Sequence, residues 1–270
     1  LFAAYFKVGI TIEPRIIESG NPDAPLLVFL HGGGVASWMW ERQLAYFKQY
    51  HCLALDLPGH GQRIGEAFSI RDSACELLER IQAKGKGKKI ILTGFSLGAQ
   101  VAVQMLGQDT ETIDYAVINS ALTKPLPAAS KMIGPTVKLT AWLARKRWFA
   151  KLQANQLYIG DELFARYYEH SLRMEPDTLV QILQENMSFA IPEGYRHSKA
   201  RILVTVGEKE RKIMRESAVD LVRARPNSRG IVIPGVGHGL SLSRPDLFNR
   251  ILEAWCTDKE LPDGLPQIQG

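Results

Sequence analysis

The chain of 270 residues is 46% hydrophobic and 23% charged, the balance of a globular protein and long enough to enclose a large core together with an insertion. No stretch reaches the roughly 18 uninterrupted apolar residues of a membrane-spanning helix, and the apolar start Leu1 to Phe6 is expected to be too short for a signal-peptide core. The net charge of +5 is dispersed; with no aromatic-interleaved basic surface and no recognisable binding module, it does not point to nucleic acid.

The chain opens with two alternating stretches, Tyr5 to Ile12 and Arg15 to Ser19, that read as a hairpin joined near Pro14. Leu26 to Leu30 is a continuous apolar run ending at His31-Gly32-Gly33-Gly34, the pattern of a strand buried on both faces. Trp38 to Tyr50 has apolar residues at helical spacing. His51 to Leu55 returns to strand and ends in the turn Asp56-Leu57-Pro58-Gly59-His60-Gly61. A helix is predicted from Ser69, its N-cap, through Lys84. Lys89 to Thr93 is the next strand, followed by Gly94-Phe95-Ser96-Leu97-Gly98, a helix over Gln100 to Gln108, and the strand Tyr115 to Asn119. This alternation commits the chain to an α/β sheet.

The rhythm breaks between Ala121 and Lys199, where aromatic residues recur at helical spacing, punctuated by Pro125, Pro127, Pro135, Gly160, Pro176 and Pro192. Several helices and no strand are expected there, forming a lid over a pocket at the strand ends. The sheet resumes with Arg201 to Val206 and Gly230 to Ile233, each followed by a helix. The basic clusters Lys84 to Lys89 and Arg145 to Arg147 read as a solvated loop and a solvated helix face. Cys52, Cys75 and Cys256 are odd in number, without CxxC spacing, which argues against a disulfide framework and for a reducing, cytoplasmic setting.

A serine between two glycines at a strand-to-helix junction is what a nucleophile elbow requires. A serine hydroxyl needs a base, and the base needs an orienting anion. Of the six histidines, His238 alone follows the last strand in a glycine-flanked loop. His31 and His60 sit in tight turns where a structural hydrogen bond is the expected task, and His51, His170 and His197 have no strand-end placement. The acid falls after the strand Arg201 to Val206: Glu210 first, with Glu208 in play because a one-residue shift of the strand end exchanges them. Asn119 and Ser120 offer no carboxylate. The Leu97 amide and an amide of Gly33 or Gly34 are candidate donors to an oxyanion. No phosphate-binding loop, dinucleotide fingerprint or metal motif occurs, so no cofactor and no metal are expected.

Together, the strand before His31-Gly32-Gly33-Gly34, Trp40, Asp56-x-Pro-Gly-His-Gly61, Gly94-x-Ser96-x-Gly98, the acid and Gly237-His238 resemble the α/β-hydrolase superfamily over about Tyr5 to Trp255. The resemblance implies an α/β-hydrolase fold: a mostly parallel sheet with helices on both faces, a core of 1–120 and 200–270, and a helical cap of 121–199. It implies Ser96 as nucleophile, His238 as base, Glu210 as acid, Gly33 and Leu97 as oxyanion donors, and Gly34, Trp40, Trp142 and Tyr167 as pocket candidates. The family more often has aspartate at the acid position, and many relatives have a small serine near Gln62. The serine argues against dehalogenase and epoxide hydrolase branches, which use aspartate there. The expectation is a small-molecule hydrolase acting on a carboxylic ester through an acyl-enzyme. Carbon–carbon bond hydrolysis, acyl transfer and a ligand receptor built on the same fold remain alternatives, and the oligomeric state stays open.

Overall fold

The computed structural model describes residues 11–13 and 16–269; most of the first strand expected from Tyr5 lies outside them. Among the described residues, eight strands form one sheet: β1 (Thr11–Glu13), β2 (Ile16–Gly20), β3 (Leu26–Leu30), β4 (His51–Leu55), β5 (Ile90–Phe95), β6 (Tyr115–Asn119), β7 (Arg201–Gly207) and β8 (Arg229–Ile233). Their order is β1-β2-β4-β3-β5-β6-β7-β8. The β1–β2 and β2–β4 pairs are antiparallel and all others parallel. Parallel neighbours require crossover connections, and here these contain helices: α1 (Glu41–Tyr46), α2 (Ile70–Lys84), α3 (Leu97–Gln108), α4 (Pro127–Ala144), α5 (Arg147–Gln156), α6 (Asp161–Arg173), α7 (Pro176–Ser188) and α8 (Lys212–Ala224), while α9 (Leu240–Ser243) and α10 (Pro245–Cys256) follow the last strand.

From β2 to β8, side-chain alternation sends residues to two cores. On β3, Leu26, Val28 and Leu30 join residues of α2, α3 and α8, while Leu27 and Phe29 join Trp40, Phe47 and α10 on the other face. All five β3 residues are buried, which explains why the run is apolar without alternation. Ser69 accepts the Asp72 amide at 3.2 Å as the N-cap of α2.

The 121–199 segment contributes α4 to α7 and a short 3-10 turn, Glu193–His197, with no strand. Pro127 and Pro176 open α4 and α7, where a missing amide leaves nothing unpaired. Pro135, expected to break the helix, instead lies inside α4. It is exposed, so the Lys131 carbonyl that loses its intrahelical donor can turn to water. This segment is tied to the core through side chains: Glu185 accepts the first amide of α2, that of Ile70, at 2.8 Å, and Gln181 accepts the Phe68 amide at 3.1 Å. A carboxylate is favourable at that helix end.

Candidate active site

Ser96 sits between the end of β5 and the first turn of α3 with φ 52° and ψ −112°, a conformation that costs a non-glycine residue about 1–3 kcal/mol. The turn closes only because its flanks are bare. A Cβ on Gly94 would lie 2.4 Å from the Gly98 carbonyl oxygen, and one on Gly98 would lie 2.5 Å from the carbonyl oxygens of Leu30 and His31. The Ser96 amide is held by the Asn119 carbonyl at 2.9 Å. As the first residue of α3, Leu97 has an amide with no intrahelical acceptor, at the positive end of a twelve-residue helix.

His238 lies beyond β8, its ring packed against Phe95 at 4.8 Å between centroids. Its Nε2 is 2.9 Å from Ser96 Oγ and its Nδ1 is 2.8 Å from Glu210 Oε2. Gly207 permits this meeting, since a Cβ there would lie 2.4 Å from the Val236 carbonyl oxygen and force the β7 and β8 loops apart. The Tyr158 hydroxyl, from the turn after α5, accepts the Gly237 amide at 2.9 Å and braces the histidine loop.

Glu210 is 5% exposed. Its other oxygen, Oε1, accepts the Ser120 hydroxyl at 2.5 Å and the Gly207 amide at 3.1 Å. Burial pushes its carboxyl upward, but the hydrogen bond and charge of His238, with the Ser120 and Gly207 donors, outweigh it and hold the group below the ordinary glutamate range. It is therefore an anion facing the imidazole. Glu208 is exposed and turns away, accepting the Gly235 amide at 2.8 Å. Ser120, dismissed in sequence as lacking a carboxylate, proves to be the residue that orients one.

In the loop after β3 the three glycines meet different demands. Close approach falls on Gly32, where a Cβ would lie 2.8 Å from the Phe95 ring; Gly33 has room for one, and Gly34 is required by its φ of +74°. His31 is fully buried, accepts the Leu57 amide at Nε2 (2.9 Å) and so donates from Nδ1 to the Gly32 carbonyl (2.7 Å). Burial pushes its imidazolium down to about 3, so it is neutral. His60 is likewise buried and bonded to the Pro58 carbonyl.

His170, which sequence places at no strand end, lies on a helix and still reaches two strand-end loops. On α6, it accepts the Gly61 amide at Nε2 (3.1 Å) and donates from Nδ1 to the Gly34 carbonyl (3.2 Å). It also stacks on His60 at 5.9 Å between centroids. Its hydrogen bonds span three segments that composition treats separately, so no local pattern announces it.

A cavity of about 870 Å³ opens above Ser96, lined by Gly33, Gly34, Leu97 and His238 from the sheet side and by α4 to α7 from the other. Trp142 and Tyr167 are in its wall. Trp40 is not: it is fully buried between Phe29 and Phe248 in the core. An indole after a glycine-rich turn satisfies a pocket and a core pattern equally. Among the described residues, no three His, Cys, Asp or Glu side chains converge as a metal site.

A sequence profile of the alpha/beta hydrolase family matches residues 27–251, and the chain belongs to that family. It is 23% identical over 238 residues to an (E)-2-((N-methylformamido)methylene)succinate hydrolase of Acinetobacter baylyi, covering 85% of this chain and 89% of the relative. It is 27% identical to a 2-succinyl-6-hydroxy-2,4-cyclohexadiene-1-carboxylate synthase of Citrobacter koseri, covering 69% and 83%. Among solved structures, a thermophilic esterase from Thermogutta terrifontis superposes with a TM-score of 0.75 at 18% identity, covering 93% of this chain and 97% of the esterase. At that identity the superposition speaks for the fold alone.

Proposed function

We propose that this hydrolase cleaves carboxylic esters of small or medium size through an acyl-enzyme formed on Ser96. The observation that carries the reading is the unbroken chain from Ser96 Oγ to His238 Nε2 at 2.9 Å and from His238 Nδ1 to Glu210 at 2.8 Å. Ser96 Oγ attacks the ester carbonyl while His238 Nε2 takes its proton, and the Glu210 anion stabilises the resulting imidazolium. The tetrahedral oxyanion is held by the Leu97 and Gly33 amides, a type of donor worth about 10² to 10³ in rate. Collapse expels the alcohol, protonated by His238. Water, deprotonated by the same imidazole, then attacks the acyl-enzyme and releases the acid and free Ser96.

Residues 121–199 serve as the cap in this reading, supported by their helical content and their share of the cavity wall. A cytoplasmic setting is supported by three free cysteines. No described helix is long and apolar enough to cross a membrane.

A second reading, cleavage of a carbon–carbon bond, uses the same serine, histidine and carboxylate, joined by the same hydrogen bonds. Hydrolysis of p-nitrophenyl esters of graded acyl length, set against a vinylogous diketone, separates the two. Turnover of esters that Ser96→Ala abolishes supports the first reading, whereas turnover of the diketone alone supports the second.

A further inference from the structure

No acidic residue occurs between Asp114 and Asp161, an interval that holds Lys124, Lys131, Lys138, Arg145, Lys146, Arg147 and Lys151. Lys124 and Lys151 are paired with Asp220 and Asp161. Lys131, Lys138 and Arg145 are exposed and have no carboxylate partner among the described residues. They recur every seventh residue, so along α4 they drift by only about 20° per step and form one stripe.

Large apolar side chains stand beside that stripe. Leu139 is 76% exposed, Trp148 64%, Met132 59% and Trp142 58%. At about 100° per residue, Met132, Leu139 and Trp142 occupy an arc of about 80° whose edge adjoins the lysines. The opposite side of α4 is the buried one, through Ile133 and Val137. Exposed indoles flanked by unpaired cations are costly in water and suited to an interface, where the ring has one apolar and one wet side. The face is also continuous with the cavity, because Trp142 and Arg145 belong to both.

The charge pattern chooses the occupant. A second copy docked by two-fold symmetry would set these cations against each other with no anion in the interval to offset them. An anionic bilayer surface complements the cations and accepts the indoles. We infer that the outward face of α4 and α5 docks on an anionic lipid surface and passes amphiphilic esters from it to the cavity above Ser96. The docking stands by itself; the delivery of esters rests on the hydrolase reading.

The test uses the purified chain with vesicles of phosphatidylcholine, with or without phosphatidylglycerol. Binding is read by co-sedimentation and by the tryptophan emission shift. The expected result is binding and a blue shift on phosphatidylglycerol vesicles only, reversed by high salt. Lys131→Gln with Lys138→Gln should weaken it roughly thirtyfold, from the contribution of each cation near such a surface. Leu139→Ser with Trp148→Ser should weaken it and reduce the blue shift. Both variants alter exposed side chains and should keep the parent circular dichroism and its turnover of a short water-soluble ester, while losing turnover of a long-chain ester presented in the vesicles. The inference is overturned by absence of binding, by binding to phosphatidylcholine alone as strong as to the anionic vesicles, or by binding indifferent to both double variants. It is equally overturned if the face proves to hold a second copy, seen as a dimer that Trp148→Ser dissociates, or a nucleic acid, seen as retention of an RNA homopolymer while vesicles are ignored. A parent that binds vesicles but turns over no ester would remove the hydrolase reading and leave the docking intact.

Discussion

Ser120 Oγ donates to Glu210 Oε1 at 2.5 Å, leaving Oε2 to face His238. Ser120 follows β6 with φ +59°, a conformation uncommon for a residue with a side chain. Hydrogen bonds to a buried charge contribute about 1.5–3 kcal/mol, so Ser120→Ala should lower kcat/KM by roughly tenfold or more. Steady-state kinetics on a reactive ester checks this, and an unchanged value would show that the Gly207 amide suffices.

Glu210→Ala should cost far more than Ser120→Ala, on the order of 10² to 10⁴ in kcat, because the imidazole loses its carboxylate partner at 2.8 Å. Glu208→Ala should leave kcat within about twofold and lower stability slightly through the Gly235 amide. The reverse ranking in parallel kinetics would exchange the two roles.

Replacing His170 by Leu removes the acceptor of the Gly61 amide and the donor to the Gly34 carbonyl. Two half-buried backbone groups left unpaired cost at most about 1–3 kcal/mol each, and the loop bearing Gly33 loses its tie to α6. A lower denaturation midpoint is expected, with a fall in kcat of about tenfold and little change in KM. His170→Gln, which keeps both a donor and an acceptor, should recover part of the kcat loss; equal damage from both variants would argue for packing alone.

Stability should fall with acidification well before carboxylates protonate. His31 is held near 3 by burial, and burial also lowers His60 and His170. The unfolded chain titrates its histidines near 6.5, so it takes up protons first; the stabilisation is complete above that value and declines below it. At pH 5.5, His31 alone accounts for a loss on the order of 1 kcal/mol. Glu210, whose carboxyl is lowered, adds stability that persists above about 4.5 and disappears only as pH falls through its folded value. Urea unfolding at pH 8 and pH 5.5 should show the lower midpoint at 5.5, and equal midpoints would contradict the neutral, buried histidines.

Much of this was readable from residues because the physics is local. The run Leu26 to Leu30 has no polar position because both its faces are covered, and Gly94 and Gly98 are glycines because carbonyl oxygens occupy the space a Cβ would take. What sequence left open depends on contacts between distant segments. Glu208 and Glu210 differ by two positions in a turn, and only the approach of the Val236–Gly237 backbone to Gly207 decides which faces inward. Ser120 matters because β6 lies beside β7, and His170 because α6 folds back over two core loops. Trp40 was misplaced in the pocket because an indole in an apolar environment looks the same from either side. Pro135, a punctuation point in sequence, lies inside α4 because on a solvent-facing side its missing hydrogen bond is tolerated.

The central claim is that Ser96 is an activated nucleophile, and intact-protein mass after treatment with a small fluorophosphonate tests it most directly. The account predicts one adduct on the parent chain and none on Ser96→Ala. An unmodified parent, or the same adduct on the variant, would contradict it.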